Sequence, residues 1–579
     1  MLIGCVKERE TGNFKNLLVI TQNPTQYEKV ELALYEKEPK IESEGNPYDY
    51  HYFKVIGEFK APSGAITTIP AFWYQHYEIS LNRAYTLPPI GYHGVASTNP
   101  DEPQGMQMVQ AVGSPHYRFR IKPGESGEWT YTLTVYRNDV MQETINGSFQ
   151  IAPSTENYRG VIQVDPTNNR NFSYKNGDTF IPIGQNVAWY TSSTRQAVDY
   201  DVWFKKMNEN NMNIARIWLA DWGFALHSGV SYNNFASRYG ALARLDYVID
   251  RAEEYDIKVI LALNHHGQFS TITNPIWEKN PWNEDNGGPC KTPLTFFRDQ
   301  QVKEIYKSQL LYLLARYSYT DEILAWELFN EIGWVDNYAQ SSLLIKTWHN
   351  EMANFIKEND PYHHMVTTSD KGKISINYSL QSLDFSCPHS YDYGQKNVNG
   401  NVPEEIDSVY NLYQKPVLYA ELGINYLNGA LNYQADPTGI SVKQGLWSGM
   451  MGGGAGGAMN WWWDSYIHPY NLYQVFKGAG IYAQMLNMNG PGYEQLFDVD
   501  EIEINNPFIN LMGYRFPDRI YGYLFDKTWA HYNYQNIIDK NNINISIPFT
   551  DGEYRLTVYD TDSGEVIKSE DLVVSNQVA

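Results

Sequence analysis

Two apolar stretches of the chain each close on a glutamate. One reads Ile323-Leu324-Ala325-Trp326-Glu327-Leu328-Phe329-Asn330-Glu331 and the other Val417-Leu418-Tyr419-Ala420-Glu421. Two carboxyl groups facing each other across a cleft can divide a reaction between them. One protonates a departing oxygen while the other attacks carbon or activates water, and cleavage of a glycosidic bond needs that division. Asn-Glu alone is a weak signal, because the dipeptide is common on helices. A glutamate ending each of two apolar strands is far more specific.

Such a pair needs a scaffold that aims both strand ends at one cleft. From about residue 160 to 500 the chain alternates strand and helix patterns. The strand candidates are Phe180–Gly184, Ile214–Leu219, Lys258–Leu263, Ile323–Phe329, Met365–Thr368, Phe385–Cys387, Val417–Ala420 and Ala458–Trp462. Between them Leu242, Leu245, Val248, Ile249 and Ala252 fall at helical spacing. Eight βα units predict a (β/α)₈ barrel, whose functional residues sit where strands end and loops begin. The two glutamates then close strands 4 and 7, on opposite sides of the ring.

The flanking segments have a different period. Val30, Leu32 and Leu34 alternate, as do Tyr117, Phe119 and Ile121, and Trp129, Tyr131, Leu133 and Val135. Period-two runs between Gly/Pro turns mean strands, and several in succession suggest a sandwich. After about residue 510, Ile543, Ile545 and Ile547 alternate, then Tyr554, Leu556 and Val558. The organisation expected is a tail over 1–25, a β sandwich over 26–155, the barrel over 156–508 and a small β domain over 509–579.

Composition narrows the ligand. Of 579 residues 42% are hydrophobic, enough for sizeable cores, and 44 basic against 66 acidic residues leave a net charge of −22. That balance argues against nucleic acid or an anionic membrane surface, both of which need basic patches. Aromatics make up 15%, with 16 Trp and 46 Tyr; most belong to cores, and the rest are candidate platforms for sugar faces. Cys5, Cys290 and Cys387 form neither a disulfide framework nor a metal spacing. His265-His266 and His363-His364 are adjacent pairs that point apart on a strand, so no metal site is expected, and no cofactor. Gly452-Gly453-Gly454-Ala455-Gly456-Gly457 lacks a phosphate-binding Lys-Ser/Thr and precedes a strand, so it reads as tight packing at the barrel base. Met1-Leu2-Ile3-Gly4-Cys5 ends in Leu-x-Gly-Cys, which resembles a bacterial lipoprotein cleavage box without its apolar leader. The expectation drawn from it is a trimmed precursor, lipidated at Cys5 and tethered at the cell surface.

The segment Leu324–Glu331 resembles the signature of the cellulase/mannanase family of retaining glycoside hydrolases (family 5-like), whose clan carries its catalytic glutamates on strands 4 and 7. Ile332 departs from it, standing where that family usually has Pro or Val. Pro70–Tyr74, Gly127–Tyr131, Phe180–Asn186, Asn280–Asn283 and Asn286–Pro289 are similar to bacterial cellulase-like proteins with an N-terminal immunoglobulin-like domain. The resemblance spans roughly residues 25–570 and says little about the substrate. It implies that Glu331 is the general acid/base and Glu421 the nucleophile of a retaining β-glycosidase. Glu331 should then have a raised pKa, through burial and repulsion by ionised Glu421, while Glu421 stays charged beside a cation. Arg216, inside the apolar second strand, is the candidate cation. Asn330 would donate to the hydroxyl next to the reacting carbon. Tyr391, in His389-Ser390-Tyr391, would hydrogen-bond the nucleophile, and His389 would line the same subsite. Of His265 and His266, one reaches the sugar and the other packs.

Strand 8 runs into Trp461-Trp462-Trp463-Asp464. Alternation sends neighbours to opposite faces, and Trp462 and Trp463 are the rings expected to floor the cleft. Trp189 and Trp222 are candidates for further subsites, with loop packing as their other reading. The functional expectation is hydrolysis of a β-linked glycan, a β-1,4-glucan or β-mannan. The rival is a non-catalytic cell-surface glycan-binding protein on the same scaffold.

Overall fold

The structure is a computed structural model that describes residues 13–85, 95–101, 104–226, 231–489, 492–499 and 501–575. Cys5 lies outside the described residues. None of the described helices is long and apolar enough to cross a membrane.

The alternating N-terminal segments form two antiparallel four-stranded sheets. One holds Leu18–Val19, Val30–Leu34, Met106–Ile121 and Phe72–Asn82 in that spatial order; the other holds Ile66–Pro70, Phe53–Lys60, Gly127–Arg137 and Val140–Ile151. Their inward residues meet: Val30, Leu32, Phe119, Leu133 and Val135 are all buried, and Phe59 meets Phe119 edge-on across the gap at 5.3 Å. Leu18 and Val19 pair with Ala33 and Leu32. Part of the tail expected over 1–25 is therefore an edge strand, because its apolar residues find a free sheet edge.

The barrel strands are parallel and in sequence order: Gly184–Asn186, Ile214–Trp218, Lys258–Ala262, Ile323–Glu327 and Met365–Thr367 form one ladder, and His389–Ser390 pairs with Glu421–Leu422. Bridges Ser369–Cys387, Ser386–Val417, Leu422–Asn460 and Gln185–Asn460 close the ring. The chain thus builds a (β/α)₈ barrel. Its sixth and seventh strands are two residues each, and its eighth position is a single bridge residue, Asn460.

The first strand lies later than 180–184. Phe180 pairs antiparallel with Phe172 in a three-stranded sheet (Ile162–Val164, Phe172–Tyr174, Thr179–Phe180). This sheet plugs the barrel base, where Phe172 packs edge-on against Phe385 at 5.2 Å. The barrel strand starts at Gly184, where a Cβ would stand 1.8 Å from the Ile214 carbonyl oxygen. The glycine run at 452–457 lies at the same end. There Cβ atoms on Gly454 and Gly456 would come within 2.5 Å of the Gly449 and Pro182 carbonyl oxygens.

The helices bury the apolar stripes read from the sequence. Tyr239–Glu254 covers Leu242, Leu245, Val248, Ile249 and Ala252, and Gln300–Tyr317 starts at Asp299, whose carboxylate accepts from the Val302 N–H at 3.1 Å, satisfying one orphan helix donor. The C-terminal sheet begins ahead of the boundary expected at 509: Glu494–Gln495 pairs with Tyr514 and Arg515 of the Ile509–Arg515/Ile520–Asp526 hairpin. This hairpin packs on the barrel helix Ile440–Met451, with Trp447 stacked on Tyr523 at 5.1 Å.

A buried charge cluster joins sandwich and barrel. Asp246 accepts paired bonds from Arg120 of the sandwich (2.8 and 3.1 Å) and from Arg316 of the barrel (2.7 and 2.9 Å), and Arg120 also donates to Glu31 at 2.8 Å. Burial alone would raise the Asp246 pKa. The two guanidiniums overcome it and hold the carboxyl far below the usual range. Removing one partner from such a cluster strands the others in low dielectric. Asp246→Ala is expected to lose about 3–5 kcal/mol of stability, read as a lowered unfolding temperature in calorimetry. An unchanged temperature would mean the cluster is solvated.

Candidate active site

Strand alternation puts Ile214, Arg216 and Trp218 on one face and Ala325 and Glu327 on the matching face of the fourth strand. The upper residues of these sets meet at the mouth. Arg216 is fully buried and donates from all three nitrogens. Nε and Nη2 bind Glu327 side-on at 2.6 and 2.8 Å, Nη1 reaches Glu421 at 2.8 Å and Asn186 at 3.1 Å, and Nη2 also reaches Asn330 at 2.8 Å. The paired fork on Glu327 is the strong geometry for this ion pair. Arg216 thus touches Glu421, as its assigned role requires, but its principal partner is Glu327. That residue stood in the quoted strand without being singled out. The signal was available: a charge two residues after Ala325 in a buried strand must face the barrel interior.

Glu421 closes its strand opposite His389, its ladder partner. The Tyr391 hydroxyl donates to the second Glu421 oxygen, and burial together with Glu421 raises the phenol pKa far upward, so it keeps the proton it donates. His389 Nδ1 stands 3.1 Å from Glu331 and 3.4 Å from Glu421. One Glu331 oxygen, one Glu421 oxygen and His389 lie within 4.8 Å of one another. That spacing would also admit a metal ion. However, Arg216 and Tyr391 already occupy one oxygen each of Glu421, so a divalent cation there would meet a guanidinium at close range.

Glu331 is held by its backbone. It has φ 49° and ψ 51°, left-handed values that a residue with a side chain adopts only when the surroundings impose them. Its N–H donates to Ser369 at 3.0 Å. Burial pushes its carboxyl up to about 8, against the pull of Arg216, with Asp370 and Glu327 adding repulsion. The raised value agrees with the expectation, although the repelling charges are Asp370 and Glu327 rather than Glu421. Burial raises Glu421 as well, opposed by His389, Arg216 and the Tyr391 bond, with Glu331 adding to the rise. Since burial holds His389 itself down to about 4, Arg216 is the standing cation at neutral pH.

The histidine pair divides. His266 Nδ1 lies 3.4 Å from the Asn330 amide nitrogen and 3.7 Å from Glu331, and burial lowers its pKa to about 3. His265 turns to Asp221 at 3.1 Å and stacks on Trp218 at 5.6 Å. With its oxygen bound by Arg216, Asn330 presents its NH₂ on the His266 side. The tryptophans correct the expectation. Trp463 is 1% exposed and wedged against Trp189 (5.2 Å) and Trp461 (5.4 Å), so it supports the floor instead of forming it. Trp462 is buried too and donates to the Asn425 carbonyl at 2.8 Å. The half-buried ring beside the strand ends is Trp461, 5.0 Å from Trp218. Alternation predicted opposite faces but not which ring took which. Trp189 is buried among four other tryptophans, whereas Trp222 is 45% exposed.

With this geometry in view, similarity to known proteins can be stated. Residues 170–436 match the sequence profile described as Cellulase (glycosyl hydrolase family 5). Over those residues the barrel is similar to the glycosyl hydrolase family 5 cellulase domain. The chain is 29% identical over 255 residues to mannan endo-1,4-β-mannosidase F of Aspergillus clavatus, covering 41% of this chain and 53% of that protein. It is 25% identical over 332 residues to mannan endo-1,4-β-mannosidase 7 of Arabidopsis thaliana, covering 49% and 74%. A solved structure of a candidate glycoside hydrolase from Bacteroides vulgatus aligns over 85% of this chain and 84% of its own, with a TM-score of 0.52 and 15% identity; it is similar in fold. The matched segment spans Arg216, Glu327, Glu331 and Glu421.

Two pH effects follow. The kcat/KM profile of this glycosidase barrel is expected to be bell-shaped, with an alkaline limb near pH 8 where Glu331 loses its proton. A flat profile through pH 9 would show that Glu331 is not the proton donor. For stability, the folded state keeps the Glu331 proton to about pH 8, whereas the unfolded chain releases it near pH 4.3. Wild-type stability therefore declines as pH rises through that window. Glu331→Gln removes the Glu331 share of the decline and leaves that of the other raised carboxyls, such as Asp464. It should be more stable than wild type by on the order of 5 kcal/mol at pH 8, with no advantage below about pH 4. Thermal unfolding at the two pH values checks this.

Proposed function

We propose that this chain hydrolyses a β-1,4-linked mannan or a related β-1,4-glucan by double displacement with retention of configuration. The observation that carries the reading is the short reach between Glu331 and Glu421, whose nearest oxygens lie within 4.8 Å. Retaining pairs stand about 5–5.5 Å apart, and inverting pairs about 6.5–9.5 Å to leave room for a water. Glu421, held by Arg216 and Tyr391, attacks the anomeric carbon while Glu331 gives its proton to the departing oxygen, and the glycosidic C–O bond breaks. Glu331, now a carboxylate, takes a proton from water. The water oxygen attacks the same carbon, the ester bond to Glu421 breaks, and both carboxyls return to their starting states.

Asn330 offers its NH₂ to the neighbouring hydroxyl, a bond that assists catalysis if it tightens in the transition state. His266 and Trp461 are the proposed sugar contacts around the reacting ring. Mannan is favoured over glucan by the names of the relatives. The sandwich is read as immunoglobulin-like, and the site of action as the cell exterior, with the chain tethered through a lipid on Cys5. Mass spectrometry of the native protein showing an unmodified Cys5 would remove the tether.

The test is product release from mannans, β-1,4-glucans and aryl β-glycosides. Wild type should act on one of them, and Glu421→Ala and Glu331→Ala should each reduce kcat by about 10²–10⁴-fold. Added azide should restore turnover in both, giving the α-glycosyl azide with Glu421→Ala and the β-anomer with Glu331→Ala. Full activity in either variant would refute the assignment, and binding without turnover in wild type would favour the glycan-binding alternative.

A further inference from the structure

The barrel closes on one residue. Asn460 bridges Gln185 of the first strand and Leu422 of the seventh. Its carbonyl accepts from the Asn186 N–H at 2.9 Å and from the Asn186 side-chain amide at 3.1 Å. Beyond Asn460 the chain runs into Trp461 and then the π-helical turn Trp463–Ile467. There the Ile467 and His468 N–H groups donate to the Trp462 and Trp463 carbonyls at 3.0 and 2.8 Å. An isolated π-helical turn is rare, and one bridge residue gives it little ladder to lean on. Its shape depends on what packs against it.

Part of that support is the sandwich. The strands Phe72–Asn82 and Met106–Ile121 pair as a long hairpin as far as Asn82 and Met106. Between them, residues 95–101 lie against the loop that follows the eighth barrel position. The Thr98 N–H and hydroxyl both donate to the Pro469 carbonyl, at 2.8 and 3.0 Å. The Asn99 amide nitrogen donates to the His468 carbonyl at 2.9 Å and stands 3.3 Å from His468 Nδ1. Asn99 and His468 are both buried. Asp101 pairs with Lys206 of the helix Asp199–Glu209. At the stem, the Gln107 N–H donates at 3.0 Å to the Thr194 carbonyl, in the loop after the first strand. The hairpin thus grips the loops that follow the first and eighth positions, the two that the Gln185–Asn460 bridge joins.

The partners of Asn99 fix which way its amide points. Oδ1 accepts from the Asp101 N–H at 3.0 Å, which leaves the NH₂ for the barrel. From His468 the contacts continue inward. His468 meets Trp203 edge-on at 6.2 Å, and Trp203 meets Trp463 likewise at 6.5 Å. Trp463 lies 5.4 Å from Trp461, and Trp461 lies 5.0 Å from Trp218, whose ring stands 5.4 Å from the Arg216 guanidinium. Close-packed rings pass on a displacement, because a dense interior has no void to absorb it.

We propose that Asn99, a residue of the sandwich, is a positioning residue for the sugar site: it holds the π-helical turn and, through it, the Trp461 ring. The proposal rests on the reading of Trp461 as a sugar contact. It gives the sandwich a part in shaping the barrel mouth, separate from the charge cluster that fastens the two together.

Asn99→Asp in the full chain is the test. It keeps the oxygen that accepts from Asp101 and replaces the donor to His468 with an acceptor. Hydrogen exchange of the Ile467 and His468 amides should accelerate by about tenfold or more. On the glycan that wild type cleaves, kcat/KM should fall roughly tenfold. Most of that fall should be a raised KM, since a ring that binds substrate and transition state alike changes KM more than kcat. Thr98→Val should move both readouts in the same direction, and Thr98→Ser should restore them. Tyr312→Phe is the control. It removes a different bond between sandwich and barrel, from the Tyr312 hydroxyl to the Trp73 carbonyl. It should lower the unfolding temperature and leave both the exchange of Ile467 and His468 and the KM at wild-type values. Unchanged exchange in Asn99→Asp would overturn the proposal. Faster exchange with an unaltered KM would do the same, because the turn would then not govern the sugar site. Equal changes in Tyr312→Phe would reduce the effect to a general loosening of the seam and defeat the idea. A wild type that binds mannans or β-1,4-glucans without cleaving them removes the hydrolase reading alone, and the Kd then takes the place of KM in the test. A wild type that neither cleaves nor binds them sinks both.

Discussion

A single guanidinium organises the mouth of the barrel. Arg216 rises from the second strand, and its contacts reach side chains of the first strand (Asn186), the fourth (Glu327 and Asn330), the seventh (Glu421) and, at 3.5 Å, Ser369 beyond the fifth. Burying it carries a large desolvation penalty that only close anionic and amide partners offset. Those partners are thereby fixed in position. Glu327 neutralises the charge with both oxygens, which leaves Nη1 to orient Glu421 and Nη2 to orient Asn330. The positions of the two groups assigned to act on the substrate therefore follow from a residue assigned to no bond-making step.

Around this charge the protein separates the two carboxyls by environment. Glu421 has a cation and a phenol as donors to its oxygens. Glu331 sits three residues after Ala-Trp-Glu-Leu on a reversed backbone, with Asp370 and Glu327 nearby and only imidazoles kept neutral by burial at its side. At neutral pH Glu331 thus keeps its proton, whereas the rise that burial gives Glu421 is opposed by His389, Arg216 and the Tyr391 bond. The aromatic layer from Trp189 to Trp463 fixes the opposite wall of the mouth. Its rings pack edge to face, the geometry favoured by their quadrupoles.

Much of this was legible before the fold. The strand-ending glutamates and Arg216 were singled out because barrel geometry gives strand ends a meaning that linear position lacks, whereas the roles of Tyr391 and Asn330 came with the family resemblance. The helical stripe at Leu242–Ala252 and the alternations at Val30–Leu34 were legible because burial imposes a period. What failed did so where periodicity stops. Phe180 was apolar enough for the barrel wall but serves the plug below it. The choice among Trp461, Trp462 and Trp463 depended on a π-helical turn at 463–467 that follows no alternation. Glu327 was overlooked because a catalytic pair was sought, whereas a buried arginine also needs a structural counterion.

The junction between sandwich and barrel bears on how this molecule can be divided. Asp246 is shared by an arginine from each side, and the Tyr312 hydroxyl on the barrel donates to the backbone carbonyl of Trp73 on the sandwich. The seam is thus an interior with charges and hydroxyls bonded across it, and it belongs to neither part alone. A barrel freed of its first 155 residues would present Arg316, Asp246 and a set of tyrosines to water in an arrangement shaped for something else. The two parts then have to be inherited together. Exchange of either for a relative's version would require coordinated changes at positions far apart in the chain, a constraint on modular evolution recorded in a few buried charges.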